Sequence, residues 1–427
     1  MAYDDTTYRR QAEARPEARA VEEPTDPDPA AYRNGSAAAD YRGRRRDLDP
    51  DDGRLVEPVT EQSRRWAEDD GRDRLGVHIG WEIVLLLAVA AIGYLLYRFD
   101  PASLRRPALD TLLISAASIG LLTMGAGLTL RAGVPNLAIG PIALAASLHF
   151  AENGDDGLLK AALPALVIAA AGGLVVGVLV LALHVPGWAA SLGAACGIIV
   201  FDQLRTAPVA VQGNFDPSDQ AFYLFGGFAL LAVFAGAIGT LTPVRRWLGR
   251  MRPVGDPAAR RGGAAAVPVI GSLMLSSLFA VVAGILMAAQ ATKPIVPGTG
   301  LEWTGIAIGT ALLAGTSAYG RRGGIFGTLL AVAAMALFLD YSDRRNFDIA
   351  LFAIAGCAVG GGLIITRLVE TYGKPLPAPL IGDEWNAAAT TSGPANWQPD
   401  RPDTWEQTAP PPARSDRWDD GPWGTSR

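Results

Sequence analysis

The chain has 427 residues, half of them hydrophobic, with 37 basic residues against 42 acidic ones and a formal net charge of -5. The average hides a division. Charge is crowded into residues 1–76 and 374–427, while Trp81 to Thr366 is a series of apolar runs broken by short polar turns, the pattern of a polytopic membrane protein. Composition argues against several classes: there is no nucleic-acid footprint, and no His, Cys, Asp and Glu cluster has metal-ligand spacing. Cys196 and Cys357 lie in apolar runs, as small hydrophobes rather than halves of a disulfide framework.

Residues 1–76 mix Asp, Glu, Arg, Pro and Ala without periodicity and lack a basic start followed by an apolar core, so they do not read as a cleavable signal peptide. Ten apolar segments follow, at 79–97, 109–130, 134–151, 158–184, 188–204, 221–241, 267–291, 304–318, 324–340 and 349–366. A crossing helix needs about 20 apolar residues. The fifth, eighth and ninth segments are short, so eight or nine crossings with re-entrant pieces is the alternative to ten. The expected fold is all-α: a polytopic helical bundle at 77–373 between disordered tails at 1–76 and 374–427. The tryptophans of the second tail, Trp385, Trp397, Trp405, Trp418 and Trp423, are expected to have no fixed contacts.

With ten crossings the even connections share one side with both tails. Arg131, Arg245, Arg246, Arg250, Arg252, Arg260, Arg261, Arg321, Arg322 and Arg367 fall on that side, against Asp256 alone. The positive-inside rule therefore places both termini in the cytoplasm, in a multi-pass protein of the plasma membrane. Trp81, Trp188 and Trp303 stand near segment ends, where an indole keeps its N–H wet.

Deep ionisable residues, the mark of an ion-coupled carrier, are scarce: Glu82, Asp110, Asp202, Asp340, His149 and His184 all stand near segment ends. A nucleotide-binding loop is absent as well, because none of Lys160, Lys293 and Lys374 follows Gly and precedes Ser or Thr. No catalytic residue is assigned, and nucleotide hydrolysis would belong to a separate subunit.

Four patches then fall in order. Ala132 to Gly140 reads AGVPNLAIG, in which Gly133 and Pro135 permit irregular backbone and Asn136 either caps the next helix or meets a solute. Val185 to Gly193 reads VPGWAASLG and includes Trp188 and Ser191. Asp256, Ala258, Ala259, Arg260 and Arg261 form a basic turn ahead of Ala283-Gly284, either solvated or docked on a partner. Gly300-Leu301-Glu302-Trp303 precedes AGTSAYGRRGGIFGTLL from Ala314, where Gly315, Gly320, Gly323 and Gly327 suit tight turns and close helix approach.

Across about residues 110–368 these patches resemble the permease subunits of ATP-binding cassette importers for simple sugars, with branches for branched-chain amino acids and nucleosides. Asn136 departs from the Asp usual in sugar permeases, and its Asn-Leu matches the other two branches; Arg321 replaces a glycine of the fourth patch. The resemblance implies a translocation path for a small polar solute, a simple sugar first, with Pro135, Asn136, Trp188, Ser191 and Glu302 as candidate contacts. It also implies a second permease subunit, identical or not, an extracytoplasmic solute-binding protein, and ATPase subunits coupled through residues 256–261. ATP would be held by those partners, with no cofactor or metal in this chain, no nucleic acid, and membrane lipid as surroundings. An ion-coupled secondary transporter or channel is the alternative of another class.

Overall fold

The computed structural model describes residues 75–241, 244, 263–317 and 324–372. Residues 1–74 of the first tail, the whole second tail, the turn at 256–261, Gly320, Gly323, Arg321 and Arg322 lie outside them, whereas Leu75 and Gly76, expected in the first tail, already belong to a helix. The described residues form ten α-helices in the order of the ten apolar segments: α1 Leu75–Phe99, α2 Ala108–Ala132, α3 Ile139–Asn153, α4 Leu158–Ala182, α5 Gly187–Gln203, α6 Ala221–Thr240, α7 Gly263–Ala289, α8 Leu301–Leu313, α9 Gly327–Arg344 and α10 Leu351–Tyr372. Helix is what an apolar chain must form in lipid, where each backbone N–H and C=O has to be satisfied within the segment. Six of the ten, α1, α2, α4, α6, α7 and α10, are long and apolar enough to cross a membrane. This is a multi-pass membrane protein.

Several helices start a few residues from where hydropathy suggests, and two of them bear on the interior of the bundle. The third begins at Ile139 instead of 134, and the eighth spans Leu301–Leu313 instead of 304–318. The reason in the first case is Gly133, whose φ of 75 ends α2, with the N–H groups of Gly133 and Val134 bonded to the carbonyls of Leu130 and Thr129. An L side chain resists that conformation and Gly does not. Residues 134–138 then run as apolar but non-helical backbone.

Contacts at the helix ends sort the bundle into two faces. At one, the Trp81 indole N–H donates to the Leu313 carbonyl at 2.7 Å, and the Glu82 carboxylate accepts from the N–H groups of Phe326 and Gly327 at 2.7 and 3.1 Å. The start of α1 is thereby joined to the end of α8 and the start of α9. At the other face Arg344 bridges Asp100 and Asp340, and Gln290 ties the end of α7 to Ser115 and Thr111 near the start of α2. Among the described residues the odd connections thus share one face, with Val209 paired to Ile295 and the Gln212 N–H bonded to the Ala151 carbonyl, and the eighth connection lies at the other face with the start of α1.

α2 and α7 pack along each other at the centre, α4 against α7, and α10 against α8. Where α2 faces α7, Gly125 lies against Ser276, and Gly284 lies against the Ala143 carbonyl of α3. The two halves repeat one plan. A long central helix, α2 or α7, is followed by an irregular segment that turns back into the bundle and then by a short helix, α3 or α8. At 15 and 13 residues these reach about 20 Å each, short of the roughly 30 Å of hydrocarbon.

α1 lies mostly open to its surroundings and is held to α9 at both ends. Gly324 passes so close to Glu82 that any side chain there would strike the carboxylate. Replacing Glu82 by Ala removes a charged acceptor from the first turn of α9 and should cost about 1 kcal/mol. Hydrogen exchange at the amides of Phe326 and Gly327 and thermal unfolding in detergent are the measurements, with Glu82→Gln expected to retain most of the protection.

Candidate functional site

The short helices α3 and α8 begin at the same place inside the bundle and run toward opposite faces. Gly140 in the first turn of α3 lies against the Gly300 carbonyl and the start of α8, closer than any Cβ allows. The Gly140 N–H donates to Thr304 Oγ1 at 3.0 Å, and that hydroxyl donates onward to the Leu137 carbonyl at 3.1 Å. Both helix N-termini carry positive partial charge into this crossover.

Asn136 closes the crossover from the side of α7. Its Oδ1 accepts the Ala138 N–H at 3.0 Å, its Nδ2 donates to Ser276 Oγ at 3.1 Å, and its own N–H reaches Thr129 Oγ1 at 3.3 Å, with 3% of the residue exposed. Ser191 holds the other side. Its hydroxyl donates to the Pro135 carbonyl at 2.8 Å and accepts the Leu137 N–H at 3.1 Å, tying α5 to the irregular segment. Side chains from α2, α5 and α8, with that of Asn136 itself, thus satisfy backbone groups that 134–138 leaves unpaired, and Ser276 of α7 holds the Asn136 amide in place.

Beside the crossover, α3, α4, α5 and α7 line a half-open cavity of ≈ 940 Å³. Asn136, Ser277 and His149 supply its polar groups, and the remaining wall is apolar, with Ile142, Leu273 and Val281 on one side and Val175, Ile198 and Phe201 on the other. Its length follows α4 and α5 from Val185 to Phe201. The volume suits a small-molecule ligand, and walls of this chemistry favour an apolar body with one or two polar groups.

Pro135, Asn136 and Ser191, with the glycines Gly133 and Gly140, belong to the crossover. Trp188 is 54% exposed at the start of α5 and does not line the cavity. Glu302 is half-buried in the first turn of α8 and accepts from Thr299 Oγ1 at 3.4 Å. Trp303, expected at an interface, packs instead between two apolar clusters of the core. Gly315, with φ 87, ends α8, and Gly327 lies against the Ala314 carbonyl. Cys196 and Cys357 are free and exposed on helix surfaces. Thr129, Ser276 and Thr304 complete the crossover without having been marked by any motif.

The acids near helix ends differ in exposure. Asp202 does lie near the end of α5, yet it is 0% exposed, and Asp110 is 6% exposed, so neither acid sits in open water. Beyond the expected third and fifth segments, Arg205 clasps Glu152 through Nε at 2.6 Å and Nη2 at 2.8 Å. This bonding holds the Glu152 carboxyl below the usual carboxylate range.

Comparisons with family profiles, with characterised proteins and with solved structures return no match.

Asn136→Leu should strand Ser276 Oγ and the Ala138 N–H, at about 1–3 kcal/mol for each buried group. At a pH low enough to keep the acid protonated, Asn136→Asp retains an acceptor for Ala138 and a donor for Ser276, so it should cost less. Thermal unfolding of both variants in detergent checks the order; equal losses would count against the bonding described.

Proposed function

We propose that this chain is the permease subunit of an ATP-binding cassette importer, performing no covalent chemistry and passing a small solute along a path that includes the crossover and its cavity. The observation that carries the reading is the convergence of three sequence patches. Residues 132–140, 185–193 and 300–303 resemble that family's motifs separately, and they meet at one point: Gly140 lies against Gly300, and Ser191 and Thr304, the residue after the third patch, both bond the backbone of Leu137. Broken helices that surround a polar point are a means of carrying solute through a bilayer without exposing backbone to lipid.

In this proposal the chain lies in the plasma membrane with both termini in the cytoplasm. A second permease subunit completes the path, a solute-binding protein delivers cargo outside, and an ATPase acts on the turn at Asp256–Arg261. A simple sugar is the first substrate class by motif order. Asn136 and the apolar cavity wall favour the alternatives, a branched-chain amino acid or a nucleoside, whose bodies leave fewer hydroxyls unpaired.

Reversing charge at Arg260 and Arg261 to Glu should abolish copurification with the ATPase while membrane insertion persists. Uptake into liposomes should require the ATPase and ATP; solute movement by the purified chain alone would refute the assignment. That outcome would favour an ion-coupled carrier, a reading supported by the repeated plan of the two halves and by buried Asp202.

A further inference from the structure

α5 buries a single stripe, Gly187, Ser191, Ala195 and Asp202, against α3 and α4. The first three suit close packing; the fourth does not. Asp202 is wholly buried, and neither carboxylate oxygen has a hydrogen-bond partner among the described residues. An ionised carboxylate in such a place is expensive, and an acid retained inside a membrane bundle is a functional site by default.

The charged groups around it are few. On α5 and its continuation, Arg205 lies one turn beyond Asp202, within electrostatic reach of it, but its Nε and Nη2 are committed to Glu152 of α3. The third nitrogen, Nη1, donates to the Phe201 carbonyl at 3.3 Å. One turn before Glu152, His149 faces the cavity with Nε2 unpartnered. α4 offers only Lys160, exposed at its start, and the link between α3 and α4 carries exposed Asp155 and Asp156. Among the described residues no cation is placed to neutralise Asp202 while Arg205 holds Glu152.

We propose that Asp202 is a proton-binding site, and that Arg205 exchanges between Glu152 and Asp202 as the proton comes and goes. With the proton on, Asp202 is neutral, Arg205 stays on Glu152, and the ends of α3 and α5 are clasped beside the cavity. When the O–H bond breaks and the proton passes to water, the new carboxylate draws Arg205 across one helical turn. Glu152, already ionised and nearer to solvent, is left to water, and the clasp between α3 and α5 opens. The exchange gives the cavity a gate at the face that carries Asp100 and Arg344. It goes beyond the proposed function and requires neither energy source.

The test uses the full chain in lipid nanodiscs. Infrared difference spectra across a pH titration should show one buried protonated carboxyl that is lost in Asp202→Asn; an unchanged carboxyl band in that variant overturns the proposal. Spin labels at Asn153 and Leu204 report the clasp. In the otherwise native protein their separation should increase as pH rises, whereas Asp202→Asn should stay closed at every pH and Glu152→Gln should be open at every pH. A pH response in Asp202→Asn equal to that of the native residue assigns the motion to another group and also overturns it. Uptake assays decide the energy source separately, so loss of either idea leaves the other standing.

Discussion

The bundle depends on the contact between Gly140 and Gly300, where two helices that cannot span the hydrocarbon alone begin against each other. A backbone that stops being helical inside a membrane exposes groups that lipid cannot satisfy, each worth several kcal/mol. Here two such stops are placed together, so that each supplies part of what the other lacks. Thr304 from one half accepts and donates for Gly140 and Leu137 of the other. Asn136 and Ser191 complete the set with the shortest side chains that can do so. Glycine at both points is a requirement of distance: a Cβ on either would meet backbone carbonyl or amide atoms rather than a movable side chain.

A related economy governs the periphery. α9 has Glu82 at its N-terminus and Arg344 in its last turn, and both are shared with α1, through Glu82 itself and through Asp100. The signs agree with the partial charges of the α9 termini. α1, mostly open along its length, is therefore fixed at two points by charge and between them by the buried side chains of Leu85 and Leu96. A charged residue near a helix end can serve as an interfacial anchor, and Glu82 shows the same position serving as another helix's cap.

The all-helical class and the order of the described helices were legible in the sequence, because long apolar runs in lipid must satisfy their own backbone; ten crossings were not, since six of the described helices are long and apolar enough to cross. The irregular segment before α3 was legible too, from Gly133, Pro135 and Asn136, although its extent was not: residues 134–138 are as apolar as the helix they precede. What could not be read was partnership across distance. Ser276 stands 140 residues from Asn136 and Thr304 stands 164 from Gly140, and nothing in the sequence sets them apart from the other hydroxyls of the same helices, Ser272 and Ser277 in α7 and Thr310 in α8. Asp202 looked like an interfacial acid by position alone; its burial comes from the packing of α3 and α4 against α5. Trp303 misleads for the same reason, since its place near a helix end says nothing of the helices beside it.

The same separation has a consequence for biogenesis. α3 leaves the ribosome long before the serine and threonine that complete its first turn, at 140 and 164 residues' remove. At ordinary rates of synthesis the delay is on the order of ten seconds. During that interval the nascent N-terminal half holds an incomplete polar break within the lipid or the insertion machinery. Final assembly of the first half must therefore wait for translation of the second, and a truncated chain ending before α7 would present quality-control proteases with an unclosed break.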